Sequence, residues 1–187
     1  IRDRKDIRRS INIVLYVIIA CLVVYGGVSY FTDLNNTGIK NAMNTVSAQA
    51  AKEFNRQLEC MTKNIYCEAG IESYEGKLAV AQVVLNRANS GNYPGDLCGV
   101  IYQRTYSGQS VVCQFSWTCM KVNNIVDKYV WQESYEIAKK VLTGKIAHEE
   151  LERKNAMFYH ANYVKPHWKK KNVVKTIGRH IFYKDIK

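Results

Sequence analysis

The sequence contains no C-x-x-C pair, no H-E-x-x-H motif, no internal repeat and no low-complexity tract. Because zinc is usually held by such closely spaced Cys and His ligands, we expect no metal site, and no pattern indicates another cofactor. Acidic residues are scarce, with 16 Asp and Glu against 27 Lys and Arg, so the formal charge is +11. Such an excess is typical of proteins that meet a polyanion, whether nucleic acid, an anionic membrane or an acidic wall polymer, or that have a soluble basic surface.

Charged residues are also missing from residues 11–31, INIVLYVIIACLVVYGGVSYF. A helix that crosses a bilayer needs roughly 20 consecutive apolar residues, and a helix in a protein core is usually shorter. The basic residues of segment 1–10 place the N-terminus in the cytoplasm by the positive-inside rule. No small-residue cleavage site follows, so a signal anchor fits better than a cleaved signal peptide. We expect a cytoplasmic tail at 1–10, a single-pass inner-membrane anchor at 11–31, and a periplasmic or other extracytoplasmic remainder.

Export changes the meaning of the cysteines, because extracytoplasmic cysteines usually form disulfides. Five of the six lie in the part expected to be exported, and the sixth lies in the apolar segment. An odd number leaves one thiol over unless the membrane cysteine takes part.

A linker separates the apolar segment from the folded part. Residues 32–44, TDLNNTGIKNAMN, are polar and Asn-rich, which is typical of a short connector, and a helical pattern begins after them. We therefore expect a linker or stalk helix at 32–52 and one folded domain at 53–187.

Helix signals come first in this domain. Gly70 suits the left-handed cap of a first helix, and Ser73 suits the N-cap of a second helix that ends near Asn89. A third helix is predicted from Asp127 to Leu142.

Strand signals follow the helices. The segments AMFYHANYV and NVVKTIGRHIFYK are rich in β-branched and aromatic residues, and the basic loop KPHWKKK separates them. Helices followed by a small sheet predict the α+β class.

Three acidic residues, Glu68, Glu72 and Glu75, lie in NIYCEAGIESYEGKLAVAQVVLNR at spacings of four and three. These spacings bring like charges together on one side of a helix, so folding alone does not explain them. Apolar neighbours and like charges raise the pKa of a carboxyl group, as a general acid near neutral pH requires. A solvated glutamate at a helix end, with capping by the other two, explains the same pattern, and the local sequence leaves both interpretations open.

The chain as a whole carries five motifs in order over residues 58–184: NIYCEAGIES with YEGKLAVAQVVLNR, LCGVIYQ, CQFSWTC, FYHANYVKPHW and IGRHIFYK. Together they resemble the SleB/CwlJ-type cell wall hydrolases, the spore-cortex-lytic family, which also occurs in non-sporulating bacteria and in phages. The resemblance implies a lysozyme-like, lytic-transglycosylase-like α+β catalytic domain that cleaves peptidoglycan glycan strands.

The resemblance also implies the catalytic groups. The glutamate of the family's Y-x-E-A motif corresponds to Glu68, and the second glutamate of that motif corresponds to Glu72, a secondary acid candidate. Relatives of this type resemble lytic transglycosylases, in which the acid protonates the glycosidic oxygen after N-acetylmuramic acid. The 6-hydroxyl of the same sugar then closes on the anomeric carbon and gives a 1,6-anhydro product. One carboxyl acting as acid and then base is sufficient, whereas ordinary glycosidases use two.

The remaining motifs supply candidate substrate-binding residues. Flat aromatic faces suit pyranose rings, and amide, hydroxyl and imidazole groups suit their hydroxyls, although residues of these types are also common in protein cores. The candidates are Gln114, Phe115, Ser116, Trp117, Tyr159, His160, Tyr163, Trp168 and His180.

Family members also carry cysteine at positions that correspond to Cys60, Cys98, Cys113 and Cys119, so these four are disulfide candidates. Two pairs among them would leave Cys21 and Cys67 unmatched. These two suggest a redox switch beside Glu68 through thiol–disulfide exchange. The alternative is that Cys21 is a small apolar residue in lipid and that Cys67 is a buried free thiol.

We therefore expect a membrane-anchored lytic enzyme with Glu68 as acid and base, either a phage endolysin or a bacterial wall-remodelling enzyme. A muramidase that uses water is the near alternative, and a wall amidase is a remote one. A non-catalytic wall-binding or envelope-spanning protein derived from such a hydrolase is the alternative of a different class. Nucleic acid is not an expected partner, because export and the lack of a binding motif argue against it.

Overall fold

A computed structural model describes residues 4–120, 125–166 and 172–184. The chain divides into two compact units, Ile1–Ala51 and Lys52–Lys187. This boundary lies one residue before the domain start expected at residue 53.

The first unit is helical throughout its described residues and belongs to helix α1 (Arg4–Ala69). Its apolar side chains between Leu15 and Val28 are exposed. Within the described residues, α1 alone contains an apolar window suited by length and composition to crossing a membrane, with a mean hydropathy of 1.9. The signal anchor and its orientation stay predictions.

The polar segment at 32–44, interpreted from sequence as a connector, is part of α1. Asn and Thr lower helix propensity only modestly, and no proline interrupts the segment. The hydroxyls of Thr37 and Thr45 donate to the carbonyls of Asp33 and Asn41, so these side chains are satisfied within the helix.

The described residues of the second unit include the end of α1 and four further α-helices. These are α2 (Tyr74–Asn89), α3 (Leu97–Ile101), α4 (Lys128–Leu142) and α5 (Glu149–Arg153). The predicted N-cap at Ser73 is confirmed, because its side chain accepts from Gly76 N. Asp127, predicted only as the start of a helix, is the N-cap of α4, and its side chain accepts from Tyr129 N and Val130 N.

Two small antiparallel sheets lie in the part of this unit that the structure describes. Strands β1 (Arg104–Ser107) and β2 (Ser110–Cys113) form a hairpin that the sequence analysis missed. Strands β3 (Ala156–Ala161), β4 (Asn172–Ile177) and β5 (His180–Lys184) form the second sheet in the order β3-β5-β4.

The segment NVVKTIGRHIFYK was predicted as one strand, and the structure divides it into β4 and β5. The chain turns at Gly178, whose φ of 54° is a left-handed conformation that favours glycine. Ile177 and His180 on either side of the turn are partners in the ladder.

Helix α2 lies between the two hydrophobic clusters of the unit. Its Ala81 and Val84 pack with Met61, Ile65 and other residues in the helical cluster. The neighbouring Val80 and Val83 pack in the cluster that holds Leu151 and Phe182 beneath the sheet. A helix that is apolar on several sides is typical of a buried central element.

Polar side chains at the end of α2 attach β3 to this core. The buried Asn86 Nδ2 donates to the carbonyls of Leu151 and Ala156 at 3.0 and 2.9 Å. The buried Arg87 Nε donates to Met157 O at 2.8 Å. Because these carbonyls are removed from water, losing either donor leaves an unsatisfied acceptor.

The second unit contains two disulfides, Cys60–Cys98 between α1 and α3, and Cys113–Cys119 at the end of β2. They use the four candidates named from the sequence. Cys21 and Cys67 are free thiols, and an exchange between them stays a prediction.

The two disulfides should differ in their contribution to stability. Their half-cystines are 38 and 6 residues apart, so loop-closure entropy predicts losses of about 4 and about 2 kcal/mol respectively on removal. Urea unfolding of residues 52–187 should rank Cys60→Ser/Cys98→Ser below Cys113→Ser/Cys119→Ser in free energy of unfolding. Equal losses would contradict a contribution set by loop length.

Candidate active site

A cavity of about 700 Å³ opens in the second unit between the end of α1, the start of α4 and strands β3 and β5. Glu68 lines it from the last turn of α1. Six of the nine predicted substrate-binding residues also line it: Ser116, Trp117, Tyr159, His160, Tyr163 and His180. The fold therefore brings together residues that lie more than 100 positions apart.

The Glu68 carboxyl is half-buried at this wall. The Tyr159 hydroxyl donates to Glu68 Oε2 at 3.0 Å. Burial raises the pKa of Glu68, whereas the hydrogen bond from Tyr159 and the positive charge of Arg87 both lower it. The net shift is upward, which favours the protonated form that a general acid needs.

Tyr159 stands on β3 and packs among aromatic rings. Its ring centroid lies 5.5 Å from that of Phe182 and 5.1 Å from that of His180, the latter edge to face. Burial raises the pKa of Tyr159 well above its usual value, and the neighbouring Glu68 adds to this. The hydroxyl therefore stays protonated and acts as the donor to the acid.

Behind the site lies Arg87, of which only 4% is exposed. Its guanidinium stacks over the rings of Tyr93 and Phe115 at 5.3 and 5.4 Å, as in other cation–π contacts. Its Nη1 atom has no hydrogen-bond partner among the residues that the structure describes.

The two histidines of the wall differ in their hydrogen bonding. His160 contacts Ala161 O through Nδ1 at 2.8 Å and the Tyr183 hydroxyl through Nε2 at 2.7 Å. His180 is buried, and its Nδ1 has no partner within residues 4–120, 125–166 and 172–184. Burial lowers the pKa of His180, which favours a neutral ring.

Two predicted substrate residues, Phe115 and Gln114, do not line the cavity. Phe115 is only 3% exposed and belongs to the core, where it stacks on Arg87. Gln114 lies half-buried at the end of the β1–β2 hairpin, where its backbone N–H donates to Gln103 O. Trp168 lies outside the described residues.

Glu72, the secondary acid candidate, does not line the cavity. It is 9% exposed, and its Oε2 accepts from Arg179 N at 3.1 Å. A Cβ atom at Gly178 would clash with the same carboxylate. Glu72 thus stabilises the β4–β5 turn, a role that sequence spacing did not reveal.

Gly70 also differs from its expected role. It is not among the residues with positive φ in the described chain. A Cβ atom there would lie 2.6 Å from the carbonyl oxygen of Tyr66, so close approach of the backbone, rather than a left-handed cap, requires glycine.

Sequence reasoning missed several residues of the wall. Tyr66 and Asp127 both line the cavity, and the Tyr66 hydroxyl accepts from the backbone N–H groups of Val126 and Asp127 at 3.1 Å each. Cys67, which the sequence placed beside Glu68 as a possible redox switch, also lines the cavity, and burial raises the pKa of its thiol. The position of Tyr66 in the Y-x-E-A motif was a signal for it, whereas Asp127 was identified only as a helix start.

The Cell Wall Hydrolase family model matches residues 71–183, and the chain belongs to this family. Glu68 lies three residues before the match. The spore cortex-lytic enzymes of Oceanobacillus iheyensis and Bacillus subtilis are 27% and 25% identical over 129 and 151 residues, which is 68% and 79% of this chain. The matched regions are 41% and 45% of those enzymes, so the chain spans less than half of the curated relatives it matches.

Two solved structures have a similar fold. The catalytic domain of the germination-specific lytic transglycosylase SleB from Bacillus anthracis matches with a TM-score of 0.50 and 24% identity, covering 68% of this chain and 93% of that one. The catalytic domain of the Bacillus cereus SleB protein gives a TM-score of 0.49 and 22% identity, with coverages of 70% and 91%. The α+β prediction is confirmed, with the fold of the SleB catalytic domain.

The raised pKa of Glu68 predicts how stability changes with pH. The unfolded chain releases this proton near the usual value of about 4.3, whereas the folded state retains it to higher pH. The folded state therefore binds more protons between the two pKa values, and the free energy of unfolding falls as pH rises through this window.

A Glu68→Gln variant should not lose stability in this pH window, because its side chain does not titrate, and its amide oxygen can still accept the Tyr159 hydrogen bond. Its melting temperature relative to wild type should increase from pH 4 upward, as measured by circular dichroism. Glu72→Gln is the matched control, because its partner is the Arg179 backbone. A pH-independent difference between Glu68→Gln and wild type would show that the Glu68 carboxyl does not titrate abnormally.

Proposed function

We propose that this chain degrades peptidoglycan by cleaving the bond between N-acetylmuramic acid and N-acetylglucosamine, as a lytic transglycosylase. The observation that carries the proposal is the half-buried Glu68 carboxyl, with its raised pKa and its Tyr159 hydrogen bond, in a cavity large enough for sugar units. Family membership and the cortex-lytic names of the relatives support the same substrate class.

In the first step, the protonated Glu68 donates its proton to the glycosidic oxygen. The bond from the anomeric carbon to that oxygen breaks, its electron pair leaves with N-acetylglucosamine, and positive charge develops on the muramic acid ring. In the second step the 6-hydroxyl oxygen bonds to the anomeric carbon, and its proton returns to the Glu68 carboxylate. No water is consumed, and the acid is regenerated.

The wall residues have distinct roles in this proposal. Tyr163, 79% exposed, offers a flat apolar face to the sugars, whereas Trp117 is only 6% exposed and supports the wall from the core. The exposed Ser116 offers a hydrogen-bonding hydroxyl. The Nδ1 atom of His180 has no partner among the described residues, but it is buried. Both ring nitrogens of His160 already have partners, so this residue shapes the wall.

The apolar window of α1 supports a location for this activity. Inserted as a signal anchor at 11–31, it would attach the chain to the inner membrane with the catalytic unit on the outer side, where the wall lies. Peptidoglycan glycan strands are then the partner.

A muramidase, which hydrolyses the same bond with water, is the second candidate. Such an enzyme uses a second carboxylate across the bond. The two reactions differ in their products, because one gives anhydro-muramyl ends and the other gives reducing ends. A non-catalytic wall protein would release neither.

Replacing the acid should abolish release. Purified peptidoglycan digested with wild type should yield muropeptides with 1,6-anhydro ends, identified by mass spectrometry. Glu68→Gln should lower the rate by about 10²- to 10⁴-fold, the usual contribution of a general acid. Glu72→Gln retains an oxygen to accept from Arg179 N and should keep activity near that of wild type.

Each other outcome has a defined meaning. Reducing ends would replace the transglycosylase with a muramidase. Equal activity in Glu68→Gln and wild type would remove Glu68 from the mechanism, and no release by the wild type under oxidising or reducing conditions would favour the structural protein.

A further inference from the structure

Among the described residues that line the cavity, Asp127 is the one acidic side chain besides Glu68. Glu72, which the sequence suggested for this place, is occupied at the β4–β5 turn. Asp127 is an exposed residue that lines the cavity.

The Asp127 side chain is fixed by the start of α4. Its Oδ1 accepts from the backbone N–H groups of Tyr129 and Val130 at 2.9 and 3.0 Å. Hydrogen bonds from two N–H groups at a helix N-terminus stabilise a negative charge and restrict the side chain to one orientation. The Oδ2 atom has no hydrogen bond to any described residue.

The backbone of Asp127 is fixed to the helix that carries Glu68. The Tyr66 hydroxyl accepts from the N–H groups of Val126 and Asp127, and the Tyr66 ring packs edge to face against Trp131 at 5.7 Å. Tyr66 lies two residues before Glu68 in α1. Two kinds of contact therefore fix the start of α4 relative to the acid.

We propose that Asp127 is a second catalytic group, whose carboxylate stabilises the positive charge that develops on the sugar ring as the glycosidic bond breaks. The inference rests on the proposed function, in which Glu68 remains the acid and base. Asp127 takes no proton and forms no bond, so the balance of the reaction is unchanged. A preorganised charge that acts on the transition state more than on the neutral sugar raises kcat without strengthening substrate binding.

The side chain offers a matched substitution. Asn caps a helix about as well as Asp does, so Asp127→Asn removes the charge and keeps the cap. With soluble uncrosslinked peptidoglycan fragments as substrate, the full chain in detergent should lose about 10- to 10²-fold in kcat, with KM within about two-fold. Its melting temperature and circular dichroism spectrum should match those of wild type.

Asp96 supplies the control, because its side chain caps α3 by accepting from Gly99 N and does not line the cavity. Asp96→Asn should keep kcat. Asp127→Ser, which also caps, should lose as much kcat as Asp127→Asn, since both lack the charge.

Tyr66→Phe gives an independent check. It removes the acceptor of Asp127 N, so it should lower kcat in the wild-type background and much less in Asp127→Asn, a non-additivity expected for groups that act together. Wild-type kcat in Asp127→Asn, or a loss in Asp127→Asn that Asp127→Ser does not share, would overturn the inference. The proposed function fails separately, if Glu68→Gln is active.

Discussion

The candidate site depends on the attachment of β3 to α2. The side chains of Asn86 and Arg87 donate to buried carbonyls at the start of β3, and two residues beyond them the strand carries Tyr159. Because Tyr159 reaches Glu68 from this strand, the position of its hydroxyl depends on the buried polar contacts at the start of the same strand. Hydrogen bonds require a defined geometry, and each carbonyl left unsatisfied would cost about 1–3 kcal/mol. The apolar clusters on both sides of α2 also hold these elements together, but apolar contacts do not fix where Tyr159 lies relative to Glu68.

The electrostatics of the Glu68 carboxyl suit a group that acts twice. Burial raises its pKa, which favours the proton that the proposed reaction needs when the glycosidic bond breaks. The Tyr159 hydroxyl and the Arg87 charge act in the opposite direction and stabilise the anion that remains after proton transfer. If burial alone acted, the carboxyl would hold its proton too tightly to be a good acid. If the Arg87 charge and the Tyr159 hydroxyl prevailed, it would start the reaction already deprotonated. A pKa between these limits allows one side chain to serve as acid and then as base.

The elements of the fold that could be predicted from sequence are those with local signals. Ser73 and Asp127 start their helices as side-chain caps, and strand-forming residues after Ala156 form strands. The division of β4 from β5 at Gly178 was missed, because a single glycine among β-branched residues is a weak local signal and its left-handed conformation is fixed by tertiary context. Phe115 was placed in the groove by residue type, but aromatic rings suit cores and grooves equally, and only the position of Arg87 decides between them.

Contacts with distant residues also explain the three closely spaced glutamates, Glu68, Glu72 and Glu75. Each has a partner from the last third of the chain: Tyr159 for Glu68, the Arg179 backbone for Glu72, and Lys175 for Glu75. These partners lie 91, 107 and 100 positions later in the sequence. Like charges tolerate the spacing because each carboxyl has its own donor and points to a different environment: a cavity, a buried turn and a surface ion pair. The local sequence shows that three acids are close, but the returning strands decide which of them can act as an acid.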